Sequence, residues 1–182
     1  MSAPGSAAPL TGSDDDLPTT SVPTTADAVS MWEIAAASRV LDVKPRYAYA
    51  LWCRDFAATS IVARLGGRVV GYISGYRRPD APETLFVWQV AVHEAARGRR
   101  MAATMLDELV DRVGATYLET TITADNAASI ALFSGLADRH GADVDRTELF
   151  GHAELGADHD PEFLYRIGPL NRSIMEEIGT RK

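Results

Sequence analysis

The hydrophobic pattern is strongest in the middle of the chain. A nearly uninterrupted apolar run over residues 85–92 predicts a strand that is buried on both faces. Residues 95–100, Ala-Ala-Arg-Gly-Arg-Arg, then form an arginine-rich turn. Beyond the turn, apolar residues recur at the spacing of one helix face, at Ala102, Met105, Leu106, Leu109 and Val113. The pattern therefore predicts a strand, a turn and a helix in succession.

The residues before this unit predict two helices and a hairpin. Helical spacing begins near Asp27, and a second helix follows from Pro45, a residue suited to a first helical turn. Residues 60–65 and 68–76 are rich in strand-forming residues, and the Gly-Gly pair between them is typical of a hairpin. The face predicted for the first helix comprises Val29, Trp32, Ala36 and Val40.

The residues after the central unit predict a further strand and helix and a terminal pair of strands. The strand spans residues 117–123, and the helix runs over residues 125–140 and ends at Gly141. Short strands are predicted at residues 144–149 and 163–167. This order of elements favours an α/β (α+β) fold, in which one mixed sheet carries helices on both faces.

Composition limits the organisation of the chain to one domain. With 182 residues, of which 46% are hydrophobic, the chain can bury one good core, and we assign that domain to residues 27–170. Residues 1–26 are rich in Pro, Gly, Ser, Thr and Asp, and we expect a disordered tail there and a short C-terminal tail over residues 171–182. With neither a signal-peptide pattern nor an apolar run of about 20 residues, we expect a cytoplasmic protein without membrane contact.

Charge and cysteine content narrow the function classes further. The net charge of −7 argues against a nucleic-acid surface and makes the arginine-rich turn a local site in an acidic protein. The single cysteine, Cys53, excludes an internal disulfide and a cysteine-based zinc site. His93 and Glu94 begin a His-Glu-x-x pattern, but Arg97 stands where a zinc site needs its second histidine. We therefore expect no metal.

The arginine-rich turn has the properties of a phosphate-binding site. A helix that starts directly after a strand directs free backbone N–H groups and the positive end of its dipole into the turn. Cations at this end of a helix are unfavourable by roughly 0.3–1 kcal/mol each, so three arginines there indicate a bound anion. A solvated basic patch is the alternative. The turn matches neither the P-loop nor the dinucleotide-binding glycine pattern.

At this point the chain resembles the GNAT superfamily of N-acetyltransferases, whose acetyl-CoA loop follows the pattern [QR]-x-x-G-x-[GA]. Arg97 and Ala102 match the ends of the pattern, and Arg100 replaces its central glycine. The resemblance implies a twisted, mainly antiparallel mixed sheet and acetyl-CoA as co-substrate. It also implies a splayed central strand whose backbone N–H binds the thioester oxygen. The implied cofactor-binding residues are Val90, Ala91, Val92, Arg97, Gly98, Arg99, Arg100, Met101, Ala102 and Asn126.

A closer resemblance, to the diaminobutyrate acetyltransferases of ectoine biosynthesis, covers most of residues 38–170. It rests on the segments LDVKPRYAYALWCRDFA, VVGYISGY, ETLFVWQVAVHEAARG, YLETTITADNAASIALF, LFG and HDPEFLYRIGP. The resemblance implies transfer of acetyl from acetyl-CoA to the side-chain amine of L-2,4-diaminobutyrate, and it implies a homodimer. Two alternatives stay open: a GNAT enzyme for another primary amine, such as a polyamine, lysine or a protein N-terminus, and a catalytically silent acyl-CoA-binding module.

The resemblance also implies substrate contacts. Asp42 and Tyr47 match positions that contact the diamine, although Asp42 is equally suited to capping the following helix. Trp88, Val90 and Val92 share one strand face, so Trp88 is predicted to wall the substrate pocket two residues before the acetyl group, with core packing as the alternative.

Two groups are candidates for moving the proton of the substrate ammonium. His159 and Glu162 lie three residues apart in HDPE, where they are suited to bind the ammonium or relay its proton; exposed surface polarity is the alternative. Tyr47 is the candidate donor to the leaving thiolate, because Phe133 stands where the superfamily places a tyrosine acid.

The remaining candidates lie on two predicted helices. Asn126 opens the helix after the strand at residues 117–123, where it is placed to contact the pantetheine arm or the substrate, or only to cap the helix. Cys53 lies on a helix without a neighbouring base, which favours core packing. We therefore predict direct transfer in a ternary complex, without a covalent enzyme intermediate.

Overall fold

The computed structural model describes residues 17–38 and 41–170 of the chain. The four helices and six strands that the sequence predicts follow one another in the predicted order, and the structure adds a short strand before the first helix and a short helix between the last two strands. Short 3-10 turns lie at Thr25–Asp27, Ala57–Thr59 and Glu94–Ala96. The elements are β1 (Thr19–Ser21), α1 (Ala28–Ser38), α2 (Arg46–Asp55), β2 (Ile61–Leu65), β3 (Arg68–Arg78), β4 (Ala81–Val92), α3 (Met101–Val113), β5 (Tyr117–Thr123), α4 (Ala127–His140), β6 (Asp143–Phe150), α5 (His152–Leu155) and β7 (Glu162–Gly168).

The strands form one mixed sheet in the order β1-β2-β3-β4-β5-β7-β6. The β4–β5 pair is parallel, and the other neighbouring pairs are antiparallel. One hydrophobic core joins α3 and α4 to one face, and a second core, around Met31 and Tyr72, joins α1 and α2 to the other. The prediction of a mixed, mainly antiparallel sheet with helices on both faces is therefore confirmed.

The β2–β3 hairpin turns at the predicted glycine pair. Gly66 and Gly67 both have positive φ angles, 55° and 77°. A two-residue turn of this kind matches the right-handed twist of the two strands, and glycine enters it without steric cost. The local sequence was therefore sufficient to place this turn.

The predicted N-terminal tail is wrong for residues 17–26. β1 pairs with β2 there, and Asp27, at the end of the following 3-10 turn, is buried and bonds Arg64 of β2 at 2.8 Å. The signal was weak because β1 is short and polar, and only its pairing with β2 makes it a strand. Residues 1–16 and 171–182 lie outside the described residues, so the predicted tails there stay predictions.

The face predicted for α1 is also wrong. Val29 is 52% exposed, whereas the side chains of Met31 and Ala35 are fully buried against the sheet. Val40 lies outside the described residues. The helix has an apolar character almost all round, so its sequence does not specify which stripe faces the core.

A β-bulge interrupts β4 at Trp88. Ser74 of β3 faces Gln89, but the next residue of β3, Gly75, faces Val87, so Trp88 is an extra residue in the pairing. A Cβ atom on Gly75 would lie 2.7 Å from the carbonyl oxygen of Phe86, which explains the need for glycine. Bulges of this kind turn a side chain to a new direction. Here the bulge sets the direction of Trp88.

The bulge corrects the predicted strand face. Val90 and Val92 pack against the core under α3 and α4, whereas Trp88 stacks on Trp52 of α2, on the opposite face of the sheet. Regular alternation would have placed the three side chains on one face. An inserted residue moves the side chains on one side of it along the strand to the opposite face of the sheet. The sequence pattern of an apolar run does not reveal such an insertion.

Candidate active site

The central groove opens where β4 and β5 diverge. Their parallel pairing runs from Thr84, opposite Tyr117, to Val87, opposite Thr120, and stops there. β5 continues to pair with β7 as far as Thr123, so the two strands separate while both remain extended. A groove of about 650 Å³ follows, and it extends from the second half of β4 to the start of α3 and along α4. The predicted splay of the central strand is present.

Backbone N–H groups of β4 point into this groove. The N–H of His93 donates to the Val70 carbonyl of β3 at 2.8 Å. Because hydrogen-bonding groups alternate sides along a strand, the N–H groups of Val90 and Val92 point away from β3, toward the space that β5 has left. Val90, Ala91 and Val92 all line the groove, as predicted. The groove thus holds donors suited to a developing oxyanion.

The start of α3 forms the end of the groove. Arg100 is the N-cap residue and adopts φ 57° and ψ 17°, the left-handed conformation; it is the only non-glycine residue with positive φ in the described ranges. The first bond of the helix runs from the N–H of Thr104 to the Arg100 carbonyl at 3.0 Å. The N–H groups of residues 101–103 therefore have no partner within the helix. Arg100 thus has a left-handed conformation that favours glycine, and the free N–H groups at the helix start are present.

The other residues of the turn divide between the groove and the core. Arg97, Gly98 and Ala102 line the groove, and the Arg97 Nε also donates to the Val92 carbonyl at 3.3 Å. Met101 lines the groove but is only 3% exposed, so its side chain belongs mainly to the core and its backbone N–H is the available group. Arg99 is exposed and does not line the groove. The turn therefore presents backbone donors and two arginines, Arg97 and Arg100, to the groove.

A second, smaller pocket lies on the opposite face of the sheet, between β4 and α2. We call it the aromatic pocket. The rings of Trp52 and Trp88 are 4.2 Å apart between centroids, and Trp88 is 38% exposed, so it is not a core residue. Its lining residues are Lys44, Ala48, Tyr49, Trp52, Ser74, Trp88 and Gln89. The structure thus places Trp88 in a pocket wall beside the groove.

The loop before α2 is fixed to this pocket. The Gln89 side-chain amide donates to the Asp42 carbonyl at 3.1 Å, and its oxygen accepts from Tyr72 at 3.0 Å. The Asp42 carboxylate is 79% exposed and pairs with Lys44. Pro45 is the N-cap residue of α2, without a side-chain cap, so the capping alternative for Asp42 is wrong.

Tyr47 lies one turn further, on α2. Its side chain is 73% exposed and lines neither the groove nor the aromatic pocket. The structure thus brings Asp42 to the rim of the aromatic pocket but leaves Tyr47 on the open side of the helix.

Asn126 both caps α4 and lines the groove. Its side chain accepts from the Ser129 N–H at 3.0 Å as the N-cap of α4, and the residue also lines the groove. Seven residues later, Phe133 is 2% exposed in the core under α4. Its position therefore offers neither a hydroxyl group nor access to the groove.

His159 and Glu162 lie at the far side of the splay. Glu162 begins β7 opposite Thr123, the last residue of β5, where β5 has left β4. The His159 ring Nδ1 is 2.7 Å from the Asp160 carbonyl. Neither residue lines the groove or the aromatic pocket. The structure brings them to the mouth of the splay but does not join them to Trp88.

Cys53 is confirmed as a core residue. Its thiol is 3% exposed and lies 3.4 Å from the Met31 sulfur. Burial, with a smaller contribution from the Asp27 carboxylate, raises the pKa of the Cys53 thiol to about 11. A thiolate is the reactive form of cysteine, so this thiol is unsuited to be a nucleophile.

The sequence patterns missed a buried ion cluster on the α2 face of the sheet. Glu119 of β5 is 1% exposed and accepts from Arg78 of β3 at 2.8 Å and from Arg166 of β7 at 2.9 Å. The three residues lie on separate strands, so only the sheet topology brings them together. A glutamate inside a predicted buried strand was the available signal, because such a group requires a partner.

Within the described ranges, no group of three or more metal-ligating side chains occurs. None of the helices described is both long enough and apolar enough to cross a membrane.

Comparisons with known proteins identify the family. The model of the Acetyltransferase (GNAT) family matches residues 27–136. Over 155 residues, the chain is 55% identical to L-2,4-diaminobutyric acid acetyltransferase of Streptomyces coelicolor, covering 82% of this chain and 91% of that protein. The chain belongs to the diaminobutyrate acetyltransferases of the GNAT family.

More distant relatives within the family agree. The chain is 42% identical over 152 residues to L-2,4-diaminobutyric acid acetyltransferase of Halomonas elongata, covering 81% of this chain and 79% of that protein. A solved structure of diaminobutyrate acetyltransferase from Paenibacillus lautus, in complex with L-2,4-diaminobutyric acid and coenzyme A, superposes with a TM-score of 0.80. It is 35% identical and covers 85% of this chain and 96% of that one. The predicted GNAT fold is confirmed.

Proposed function

We propose that this chain transfers the acetyl group of acetyl-CoA to the 4-amino group of L-2,4-diaminobutyrate. The observation that carries the proposal is the divergence of β4 from β5 beyond Val87, which opens backbone donors of β4 onto a groove that ends at the N-terminus of α3. Relatives that share most of the chain bear the name of this activity. The product, N4-acetyl-L-2,4-diaminobutyrate, is the precursor that an ectoine synthase cyclises, which makes the enzyme part of osmolyte biosynthesis.

Acetyl-CoA fits the groove. Its diphosphate is bound by the N–H groups of residues 101–103 with Arg97 and Arg100, and the arm runs past Asn126 toward β4. The N–H of Val90 holds the thioester oxygen. Arg100 has the backbone conformation that leaves these helix donors open, which supports the assignment despite the missing glycine. Gly98 and Ala102 leave space along the groove, and Arg99 adds positive charge at its rim.

The reaction is a direct attack in a ternary complex. The neutral 4-amino nitrogen forms the new C–N bond to the acetyl carbon, the C–S bond breaks, and the thiolate leaves and takes up a proton. The substrate ammonium has a pKa near 10, so about one molecule in a thousand is neutral at pH 7, and a base is required. Glu162, at the mouth of the splay, and His159 bind the ammonium or relay its proton. Tyr47 remains the candidate donor to the thiolate, which requires its exposed side chain to turn toward the groove. The buried Cys53 supports a route without an acetylated enzyme.

The substrate lies between the loop before α2 and β4. Asp42 binds its ammonium group, and Trp88 forms the wall beside the acetyl group. The exposed wall position of Trp88 supports this placement.

We also propose that the enzyme is a cytoplasmic homodimer with small-molecule substrates and no nucleic-acid or membrane partner. β6 is an edge strand with all eight residues exposed, among them Val144, Leu149 and Phe150. Such an edge is a surface that proteins usually cover. The measurement is the molar mass in solution by light scattering: twice 19.7 kDa supports the dimer, and a single chain mass contradicts it.

One assay tests the proposed activity. Release of free CoA thiol from acetyl-CoA is followed with and without L-2,4-diaminobutyrate, and the acetylated product is located by NMR. Thiol release that depends on the amine, with acetyl on N4, is the expected result. No amine-dependent release would favour a silent acyl-CoA-binding module, and faster turnover of a polyamine, lysine or a peptide N-terminus would favour another amine substrate.

A further inference from the structure

The aromatic pocket contains buried polar atoms that have no hydrogen-bond partner in the part of the chain that the structure describes. The Trp52 indole Nε1 and the Tyr49 hydroxyl are buried and have no hydrogen-bond partner within the described residues. The Gln89 amide oxygen accepts from Tyr72, and its nitrogen donates to the Asp42 carbonyl, so neither group is bonded to the Trp52 indole. A buried donor without an acceptor is unfavourable, so an acceptor atom that reaches it would be favoured. The pocket has a volume of about 10 Å³, room for about one water, so a larger acceptor group binds there only if the pocket widens at its open rim.

A cation stands at the rim of the same pocket. The Lys44 Nζ lies 5.9 Å from the centroid of the Trp88 ring and pairs with Asp42. The side chain of Lys44 is 36% exposed, so it is accessible from solvent while it lines the pocket. One positive and one negative charge therefore lie side by side at the rim, and the positive one is near the Trp88 ring. This pair is complementary to the ammonium and carboxylate that share one carbon in an α-amino acid.

We propose that Lys44 and the indole N–H of Trp52 bind the α-carboxylate of the amino-acid substrate, while Asp42 holds its α-ammonium. This inference rests on the proposed function and deepens it, because it explains why the 4-amino group is the one acetylated. Val90 lies two residues after Trp88, a rise of roughly 6–7 Å along an extended strand. With its head group at Lys44, the four-carbon chain extends its far amine toward the N–H of Val90. The 2-amino group stays at Asp42.

The test compares two substrates that differ by the carboxylate. Propane-1,3-diamine has the same reactive amine and chain as L-2,4-diaminobutyrate but lacks the carboxylate. The variant Lys44→Met removes the charge and keeps the side-chain length. We expect kcat/KM for diaminobutyrate to fall roughly ten- to hundred-fold, as for the loss of a charged hydrogen bond. For propane-1,3-diamine, kcat/KM should stay within about two-fold, and the KM for acetyl-CoA should not change.

Three further variants complete the design. Trp52→Phe deletes the N–H and keeps a ring on Trp88; it should lower kcat/KM for diaminobutyrate several-fold and spare the diamine. Lys44→Arg should restore most of the preference. Arg54→Met, on the exposed side of α2 where Arg54 pairs with Asp55, removes one charge from the same helix and should leave both substrates unchanged.

The results separate this inference from the proposed function. If Lys44→Met lowers kcat/KM for both substrates equally, Lys44 shapes the pocket and does not bind the carboxylate, which overturns the inference. If Lys44→Met does not fold, Trp52→Phe tests the inference instead. If the indole N–H binds only a water, Trp52→Phe will leave the ratio of kcat/KM for diaminobutyrate to kcat/KM for propane-1,3-diamine unchanged, which overturns the inference. Failure of the wild-type enzyme to acetylate diaminobutyrate would instead overturn the proposed function itself.

Discussion

Arg100 occupies a backbone conformation that suits glycine, and this makes two variants informative. Its φ of 57° is left-handed, and a side chain there costs roughly 1–2 kcal/mol. Arg100→Gly removes this strain but adds about 0.4–1 kcal/mol of chain entropy to the unfolded state. Arg100→Ala keeps the strain and loses the same charge. The glycine variant should therefore be more stable than the alanine variant by about 1 kcal/mol.

Cofactor affinity should fall equally in the two variants, although their stabilities differ. If the Arg100 guanidinium holds a phosphate of acetyl-CoA, both variants lose that contact, and the KM for acetyl-CoA should rise roughly ten-fold or more. The glycine variant keeps the N–H groups of residues 101–103 in place, so kcat at saturating acetyl-CoA should change little. Arg100→Gly would then be more stable than Arg100→Ala and no better at binding the cofactor.

Thermal unfolding and steady-state kinetics check this prediction together. For a chain of this size, 1 kcal/mol corresponds to a Tm difference of about 2–4 °C. A glycine variant no more stable than the alanine variant would refute the argument from backbone strain. An unchanged KM for acetyl-CoA in both variants would refute the phosphate contact and leave the helix N–H groups as the anion site.

Two further predictions concern buried groups. Burial acts to raise the pKa of Asp27, but hydrogen bonds from Thr24 and Arg64 outweigh it and hold the pKa below its usual value. The ionised carboxylate therefore stabilises the fold above the unfolded pKa, and this stabilisation is lost as the pH falls through the folded pKa. Asp27→Asn should cost about 3 kcal/mol at pH 7 and less in acid, measured by urea unfolding against pH; an equal loss at pH 7 and pH 3 would contradict the ion pair. Cys53→Ala should keep kcat, and the native thiol should resist iodoacetamide at pH 8; loss of turnover in a folded variant would contradict direct transfer. The pKa of the Cys53 thiol rises from 9.0 to about 11 on folding, so the neutral thiol stabilises the fold fully below pH 9. This contribution is lost as the pH rises through 11. The free energy of unfolding of the alanine variant should therefore depend less on alkaline pH.

Local patterns determined much of the fold and the anion site. The Gly66-Gly67 turn, the strand Tyr117–Thr123 and the end of α4 at Gly141 follow from residues close in sequence, because turn and cap conformations depend on single residues. The arginine-rich turn between a buried strand and a helix likewise identified an anion site. Identification of the substrate needed the family resemblance, since spacing alone carries no information on the amine.

The tertiary structure decided what depends on pairing between distant segments. The bulge at Trp88 follows from the register of β4 against β3, and it moved Trp88 to the face opposite Val90. Glu119 found its two arginines on other strands, and polar β1 became a strand only by pairing with β2. The sequence pattern likewise does not predict that the unpaired indole N–H of Trp52 and Lys44 share one pocket. Sequence thus determined the local elements, because neighbouring residues set backbone preference, and the fold alone determined which side chains face one another across the sheet.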